Sequence, residues 1–427
     1  MRAAIVTMGC KVNQAESAAL FAGLSKAGYD IGDPVGADLI VLNTCSVTSK
    51  ADKEALTLLR RLRRANPGAY LVASGCLAQL SPEKLVAPNL ADLALDAKGR
   101  DHILDYLPKR LNPQKLTHPP TFDSSFSAVP APYKTRVFLK IQDGCAAYCS
   151  YCVVPLARGP ERSLEPQVAL SQLKAILSAG VREVVLTGIH LGRYGQDLGT
   201  DLRRFLALIA TEFKAPRNFR LRLSSLEPNE IFWASEALES GLLAPHIHAP
   251  LQSGSDRILK KMGRPYLRDD YRRIILDLAQ KFGPLALGCD VLVGFPGESH
   301  KDFQQTYLLL EELPLSYFHV FPYSPRPGTK AAEFPERIPD PVKKERVKAL
   351  KDLDKVKRAA FLTTQYPLKH LGLVENTLDP KGRFRVLTGS YIRAVWGAPA
   401  KPVPNTLIAV RLKEPKTVGD PPEAYPW

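Results

Sequence analysis

Apolar and polar positions along the chain fall into two recurring forms, short apolar runs and amphipathic stretches of helical period. Up to about residue 110, the runs Ala3–Met8, Leu39–Asn43 and Tyr70–Ser74 alternate with helical stretches near Ala15–Ala27 and Ala51–Ala65. Strand and helix in alternation predict a parallel sheet covered by helices, an α/β domain over 1–112. Residues 113–135 break the pattern: five prolines (Pro113, Pro119, Pro120, Pro130, Pro132) surround the polar run Thr121–Ser127, and a linker is expected there. A second series follows, with strands expected at Val137–Ile141, Glu183–Thr187, Phe219–Leu223, His246–Ala249, Leu287–Val293 and Tyr317–Phe321. Helical patterns such as Pro166–Ala179, Asp269–Lys281 and Lys301–Leu313 separate them. Six strand–helix units over 136–366 predict a partial (β/α)6 or complete α/β barrel, closed by a basic helix from Pro341 to Phe361. From Pro367 the helical period stops. Leu371–Glu375, Arg383–Leu387, Tyr391–Trp396 and Leu407–Leu412 then predict a small β-barrel of the oligonucleotide-binding kind over 367–427.

The totals narrow the class. At 427 residues, 45% apolar and 24% charged, the chain has ordinary globular composition, which excludes a disordered or collagen-like protein. Basic side chains number 58 against 43 acidic ones, a net charge of +15 that favours a polyanionic partner. A basic protein without such a partner would show the same totals, so charge alone leaves both readings open. No apolar run approaches a membrane span, and Ala3–Met8 is too short for a secretory signal, so a cytoplasmic location without a membrane partner is expected. Seven cysteines, an odd number, argue against a disulfide framework and towards metal ligation.

The sharpest signal is Cys145-Ala146-Ala147-Tyr148-Cys149-Ser150-Tyr151-Cys152, placed directly after a predicted strand. Three thiolates so close can converge on one small metal site. Zinc would want a fourth ligand, and the nearest histidines, His102 and His190, are distant in sequence. Three ligands with one vacancy suit a 4Fe–4S cluster whose open iron takes another molecule. The remaining cysteines are Cys289, inside a predicted strand and read as a small core residue, and three that each follow a strand: Cys10, Cys45 and Cys76. In a parallel sheet those three strand ends share the carboxyl edge, where such folds place ligands. Gly9 and Gly75 beside them permit tight turns.

The Cys-x3-Cys-x-aromatic-Cys arrangement resembles the signature of the radical S-adenosylmethionine superfamily. With Met8-Gly9-Cys10-Lys11-Val12-Asn13-Gln14 and Asn43-Thr44-Cys45-Ser46-Val47-Thr48, the whole chain resembles the methylthiotransferase family, nearest the branch acting on N6-threonylcarbamoyladenosine in tRNA. Ala15 departs from that branch, where an aromatic residue is more usual. The resemblance implies two 4Fe–4S clusters, one on Cys10, Cys45 and Cys76 and one on Cys145, Cys149 and Cys152, together with S-adenosylmethionine. It also implies a TRAM-like RNA-binding barrel, the anticodon loop of tRNA as partner, a reductant such as flavodoxin or ferredoxin, and a sulfur donor of unknown kind. Rival readings are the same chemistry on isopentenyladenosine or on a ribosomal-protein aspartate, and an RNA-binding iron–sulfur electron carrier.

Candidate contacts to that cofactor are Tyr151 within the triplet, Gly188, Ser224 and Glu227 after the second and third barrel strands, and Gln252, Gly294 and Glu298 in runs that resemble the family's. Some have a plainer alternative: Gly188 and Gly294 in ordinary turns, and Ser224 as a cap for a helix starting near Pro228; Ser255, three residues after Gln252, reads as a cap for the next helix. Arg60–Arg64 lie on an amphipathic helix and either touch RNA or form a solvated face. In the C-terminal barrel, Lys369, Lys381, Arg383, Arg385 and Arg393 accompany Phe384, Tyr391 and Trp396, a mixture that suits phosphate binding and base stacking.

Overall fold

The computed structural model describes residues 1–111, 135–415 and 420–427; the predicted linker, except for Thr135, lies outside them. The N-terminal part holds a five-stranded parallel sheet in the order β2-β1-β3-β4-β5. Its strands are β1 (Arg2–Thr7), β2 (Asp30–Ile31), β3 (Leu39–Thr44), β4 (Tyr70–Gly75) and β5 (Leu93–Leu95). Alternate residues of β3 feed two cores. Ile40 and Leu42 pack with Ala55, Leu59 and Leu62 of the helix Ser49–Ala65, whereas Leu39 and Val41 meet Leu20 and Leu24 of the helix Lys11–Lys26. A strand buried on both faces reads as a continuous apolar run, which is why β3 was legible. The short edge strands β2 and β5, two and three residues long, carry too little pattern to be read.

The central part begins with β6 (Arg136–Lys140) and an antiparallel pair of two-residue strands, β7 (Gln142–Asp143) and β8 (Arg162–Ser163). The barrel strands β9 (Glu183–Thr187), β10 (Arg220–Leu223), β11 (His246–His248), β12 (Ala286–Val293) and β13 (Tyr317–Pro322) follow. They form two parallel arcs, β6-β9-β10 and β11-β12-β13, joined by a parallel bridge between Leu221 and Leu243. Six strands thus make the expected partial barrel. Along them, one residue in two packs outward into the helix layer: Val137, Leu139, Val184, Leu186, Leu221, Leu223, Ile247, Leu287, Cys289 and Val291 share one core with Leu173, Phe205 and Ile275. The intervening positions, among them Lys140, Arg220, Arg222, His246, His248, Asp290 and His319, face the other way and line a polar lumen. The helix Asp340–Gln365 packs along β12 and β13.

The C-terminal part is a closed barrel in the order β14-β15-β16-β18-β17. It consists of β14 (Lys369–Leu378), β15 (Phe384–Thr388), β16 (Arg393–Trp396), β17 (Leu407–Lys413) and β18 (Glu423–Pro426). The last strand was not anticipated, since Pro421, Pro422 and Pro426 bracket it and proline reads against a strand. Two forks clamp this barrel to the central one. Arg222 donates to the carbonyls of Gly389 (2.9 Å) and Thr388 (3.2 Å), and Arg220 to that of Leu387 (2.8 Å). Glu183, fully buried, pairs with both arginines.

Candidate active site

Cys10, Cys45 and Cys76 stand at the carboxyl ends of β1, β3 and β4, as the strand pattern predicted. Two glycines bring them together. A β-carbon on Gly9 (φ +92°) would lie 2.7 Å from Cβ of Cys45, and one on Gly75 (φ +91°) would lie 2.4 Å from the Thr44 carbonyl oxygen. Asn13 ties the loops: its Nδ2 donates to the carbonyls of Thr44 (2.8 Å) and Met8 (3.0 Å). Cys45 and Cys76 are buried and Cys10 is exposed.

The second triplet hangs between β7 and β8. Gln142 donates to the carbonyls of Asp143 and Gly144, and a β-carbon on Gly144 (φ +74°) would fall 1.8 Å from the Pro160 carbonyl oxygen. Only glycine fits this turn into Cys145. Ser150 then anchors the loop to the helix Asp256–Met262 through Met262 (2.9 Å) and Lys261 (2.8 Å) carbonyls. Side chains from after β9 and from after the helix Asp256–Met262 complete the site. His190 Nδ1 lies 3.6 Å from Cys145 Sγ, with Nε2 3.0 Å from Glu230. Burial opposes a charge on this imidazole, but the contacts with Cys145 and Glu230 hold its pKa up at about 10. Arg264 donates to Cys149 Sγ at 3.1 Å and is paired with Glu227.

Of the predicted contacts, Tyr151 packs beside Phe295 and Tyr323 under the triplet. Gly188 sits against Gln142, where a β-carbon would come 2.8 Å from its Oε1. Ser224 is buried with no hydrogen-bond partner for its hydroxyl among the described residues. Capping does not explain it, because Glu227 occupies the cap of the short helix Pro228–Ala234 and makes no side-chain cap bond. Gln252 is held at φ +65° by backbone bonds to Asp290 and from Leu292. Gly294 and Glu298 are joined to each other (N to Oε2, 2.6 Å), and Arg346 pairs with Glu298, so these two hold a turn against the C-terminal helix of the barrel. Ser255 does not cap its helix either; its hydroxyl donates to Asp302 (2.6 Å). Arg63 turns inward to the Leu90 and Ala69 carbonyls and to Asp92.

Sequence reasoning missed His190 as a neighbour of Cys145, along with Arg264 and Arg158. No sequence spacing announces any of them. Arg158, 5% exposed in its side chain, pairs with fully buried Glu16 and donates to Asn13 (2.8 Å), so the central barrel reaches directly to the N-terminal cysteine loops. Lys140 (2.9 Å) and Arg100 (3.0 Å) converge on the same carboxylate. The two triplets are therefore presented by two domains fastened by a buried ionic knot.

Both triplets suit an iron–sulfur cluster. All seven cysteines are free, and within each triplet the sulfurs are near enough to raise one another's proton affinity. Burial pushes Cys45 to about 11 and Cys152 to about 12, so a bound cation is what would keep these sulfurs as thiolates.

A cleft of about 690 Å³ opens between Gln14, β6 and the C-terminal barrel, walled by Arg136, Lys381, Arg383, Arg385 and Arg393. Four of the five basic residues picked from the barrel sequence thus meet in one place. Tyr391, grouped with them as a stacking residue, instead turns to the barrel lumen, its ring 4.8 Å from that of His246 and 4.7 Å from the Arg222 guanidinium.

Residues 2–96 match the family described as "Uncharacterized protein family UPF0004", and residues 139–310 match the radical SAM superfamily. A protein of Aquifex aeolicus named threonylcarbamoyladenosine tRNA methylthiotransferase MtaB is 36% identical over 92% of this chain and 96% of its own length. The chain belongs to the radical S-adenosylmethionine methylthiotransferase family. It is an enzyme of that type, using S-adenosylmethionine and 4Fe–4S clusters. The Bacillus subtilis protein of the same name is also 36% identical, over 81% of this chain and 78% of its own. A tRNA-2-methylthio-N(6)-dimethylallyladenosine synthase of Ehrlichia canis is 32% identical over 84% of each chain. Among solved structures, the radical S-adenosylmethionine methyltransferase TsrM of Kitasatospora setae shares the fold, with TM-score 0.52 and 15% identity over 78% of this chain and 75% of that one. Among the described residues no helix is long and apolar enough to cross a membrane.

Proposed function

We propose that this enzyme adds a methylthio group to C2 of N6-threonylcarbamoyladenosine at position 37 of tRNA, beside the anticodon. The observation that carries the reading is the pairing of two cysteine triplets at strand ends of two domains locked by Glu16, in a chain that aligns with named threonylcarbamoyladenosine methylthiotransferases over nearly its full length. Cys145, Cys149 and Cys152 would hold the cluster that binds S-adenosylmethionine, and Cys10, Cys45 and Cys76 the cluster on the sulfur side. Once bound and reduced, these groups would supply a 5′-deoxyadenosyl radical for removing hydrogen from adenine C2 and a methylated sulfur for that carbon.

The chain's own residues supply the rest. Arg264 and His190 hold Cys149 and Cys145 in place, each fixed in turn by a carboxylate, Glu227 or Glu230. The Ser224 hydroxyl, just after β10 and without a partner among the described residues, would be a donor for the amino-acid or ribose part of the cofactor. Arg385 and Arg393, exposed on neighbouring strands of the basic cleft, would neutralise tRNA phosphates while the target base leaves its stack. Low-potential electrons would come from a flavodoxin or ferredoxin, and the sulfur from a separate donor.

The deciding experiment is anaerobic reconstitution, reduction and incubation with S-adenosylmethionine and threonylcarbamoyladenosine tRNA, with nucleosides followed by mass spectrometry. A 2-methylthio product is expected. Release of 5′-deoxyadenosine with this tRNA unchanged and isopentenyladenosine tRNA converted would overturn the substrate assignment while leaving the radical chemistry in place.

A further inference from the structure

The two cysteine triplets belong to different domains, and the Glu16 knot has a counterpart elsewhere. Just after β13 the chain reads Ser324-Pro325-Arg326-Pro327-Gly328-Thr329-Lys330-Ala331. A proline on either side of Arg326 fixes two φ angles, and the following proline biases Arg326 itself towards extended backbone. Thr329 closes the turn, its hydroxyl donating to the Arg326 carbonyl at 2.7 Å. Arg326, Thr329 and Ala331 are buried. The segment is stiff by sequence and pinned by packing.

One end of it holds the loop of Cys45. Arg326 Nη2 donates to the Ser46 hydroxyl at 2.7 Å, and Nη1 pairs with Asp52 at 2.7 Å. Ser46, fully buried and next in sequence to Cys45, donates in turn to Asp52 at 2.7 Å. A planar guanidinium fork on a hydroxyl and a carboxylate fixes direction as well as distance. Beside it the Ser49 amide, one of the unpaired N–H groups at the start of the helix Ser49–Ala65, donates to the Ser324 hydroxyl at 3.0 Å. The other end holds the loop of Cys149 and Cys152. The Ala331 amide donates to the Ser150 carbonyl at 2.7 Å, and Ala331 packs with Met262, Phe295 and Tyr323 against Tyr151. Gly328, at φ +79°, lies against Leu156 of the helix Val154–Arg158, where a β-carbon would come 2.9 Å from Cδ1.

One short segment thus carries a hydrogen bond beside Cys45 at one end and one between Cys149 and Cys152 at the other. The reaction joins a sulfur from the first triplet to a carbon radical made at the second, and a misplacement of about 1 Å costs such a step on the order of 100-fold. We propose that Arg326 is a positioning residue for this transfer: through Ser46 it sets where the Cys45 loop stands relative to the cluster on Cys145, Cys149 and Cys152. The proposal rests on one cluster at each triplet and is independent of which tRNA base is modified. It shares no residue with the Glu16 knot, which reaches the Cys10 side through Arg158 and Asn13.

The test compares wild type with Arg326→Gln and Ser46→Ala, with iron per chain measured in each. Ser46→Ala leaves the Arg326–Asp52 pair, which would suffice if Arg326 only clamped the domains together. Before the clusters are loaded and can hold the loops themselves, amide exchange over 43–48 is expected to rise about 10-fold or more in both variants, the span of one charge-assisted hydrogen bond. Exchange in the helix Lys11–Lys26 should stay as in wild type. After reconstitution and reduction, 5′-deoxyadenosine should still form, while methylthiolated RNA per 5′-deoxyadenosine falls roughly 10- to 100-fold. Magnetic coupling between the two reduced clusters should change in the electron paramagnetic resonance spectrum of both variants. Ser46→Ala behaving as wild type in exchange, product ratio and spectrum, or exchange rising alike in both segments, overturns the proposal. Should Arg326→Gln fail to fold, Ser46→Ala decides alone. Wild type that takes up the iron of only one cluster refutes the assignment of a cluster to each triplet, a different outcome from either.

Discussion

Replacing Glu16 by Gln tests whether the ionic knot couples the two halves of the site. The carboxylate is fully buried and accepts from Lys140 at 2.9 Å, Arg100 at 3.0 Å and Arg158. Burial alone would raise its pKa, but Arg100, Arg158 and Lys140 hold it well below the usual carboxylate range, so at neutral pH the group is an anion. Glutamine keeps the shape and removes the charge. Breaking a buried pair by neutralising one partner costs about 3–5 kcal/mol. Here Asp143 still compensates Lys140 (2.8 Å) and Asp101 lies 3.7 Å from Arg100, so the lower end, about 3 kcal/mol, is expected. That is a factor of more than about 100 in the docking equilibrium between the N-terminal sheet and the barrel. Because Arg158 also holds Asn13, the loosening should reach the Cys10 and Cys45 loops. A multidomain chain does not unfold in one step, so the readout is local: amide exchange in the helix Lys11–Lys26 and strand β6 should rise. In turnover, the ratio of methylthiolated RNA to 5′-deoxyadenosine should fall. Unchanged exchange in both segments together with an unchanged ratio would refute the reasoning.

Three further predictions follow from the same geometry. Alanine at Cys145, Cys149 or Cys152 should abolish 5′-deoxyadenosine formation. Alanine at Cys10, Cys45 or Cys76 should leave it and abolish only methylthiolation, each set losing about half the iron; the two products are assayed by mass spectrometry and the iron by colorimetry. Glu183, held to about 2 by Arg222, Arg220 and Arg136 against burial, has a folded pKa below its ordinary value of 4.5. Its stabilisation, about 3 kcal/mol, is therefore complete above that ordinary value and lost as pH falls towards 2. Tryptophan fluorescence should show the C-terminal barrel loosening in that range, and earlier in Glu183→Gln. Finally, Arg385→Ala and Arg393→Ala should each weaken tRNA binding across sequences and reduce the slope of log affinity against log salt by about 1, measured by filter binding.

The sequence by itself determined the longer strands, the order of the three parts and both cysteine sets. These are local or periodic properties: β3 and β4 are apolar because both faces are buried, and a triplet within eight positions converges in any fold that turns there. It also showed the basic residues of the C-terminal barrel, because exposed charge leaves a plain mark in composition. Tertiary structure alone decided which distant groups meet. Nothing in the spacing places Arg158 or Lys140 on Glu16, 142 and 124 positions away, His190 on Cys145, or Arg264 on Cys149. It also turned Tyr391 from the basic cleft into the lumen, against His246 and Arg222. Buried ion pairs follow from how elements close in space, and the charges that form them look in sequence like any solvated lysine, arginine or glutamate.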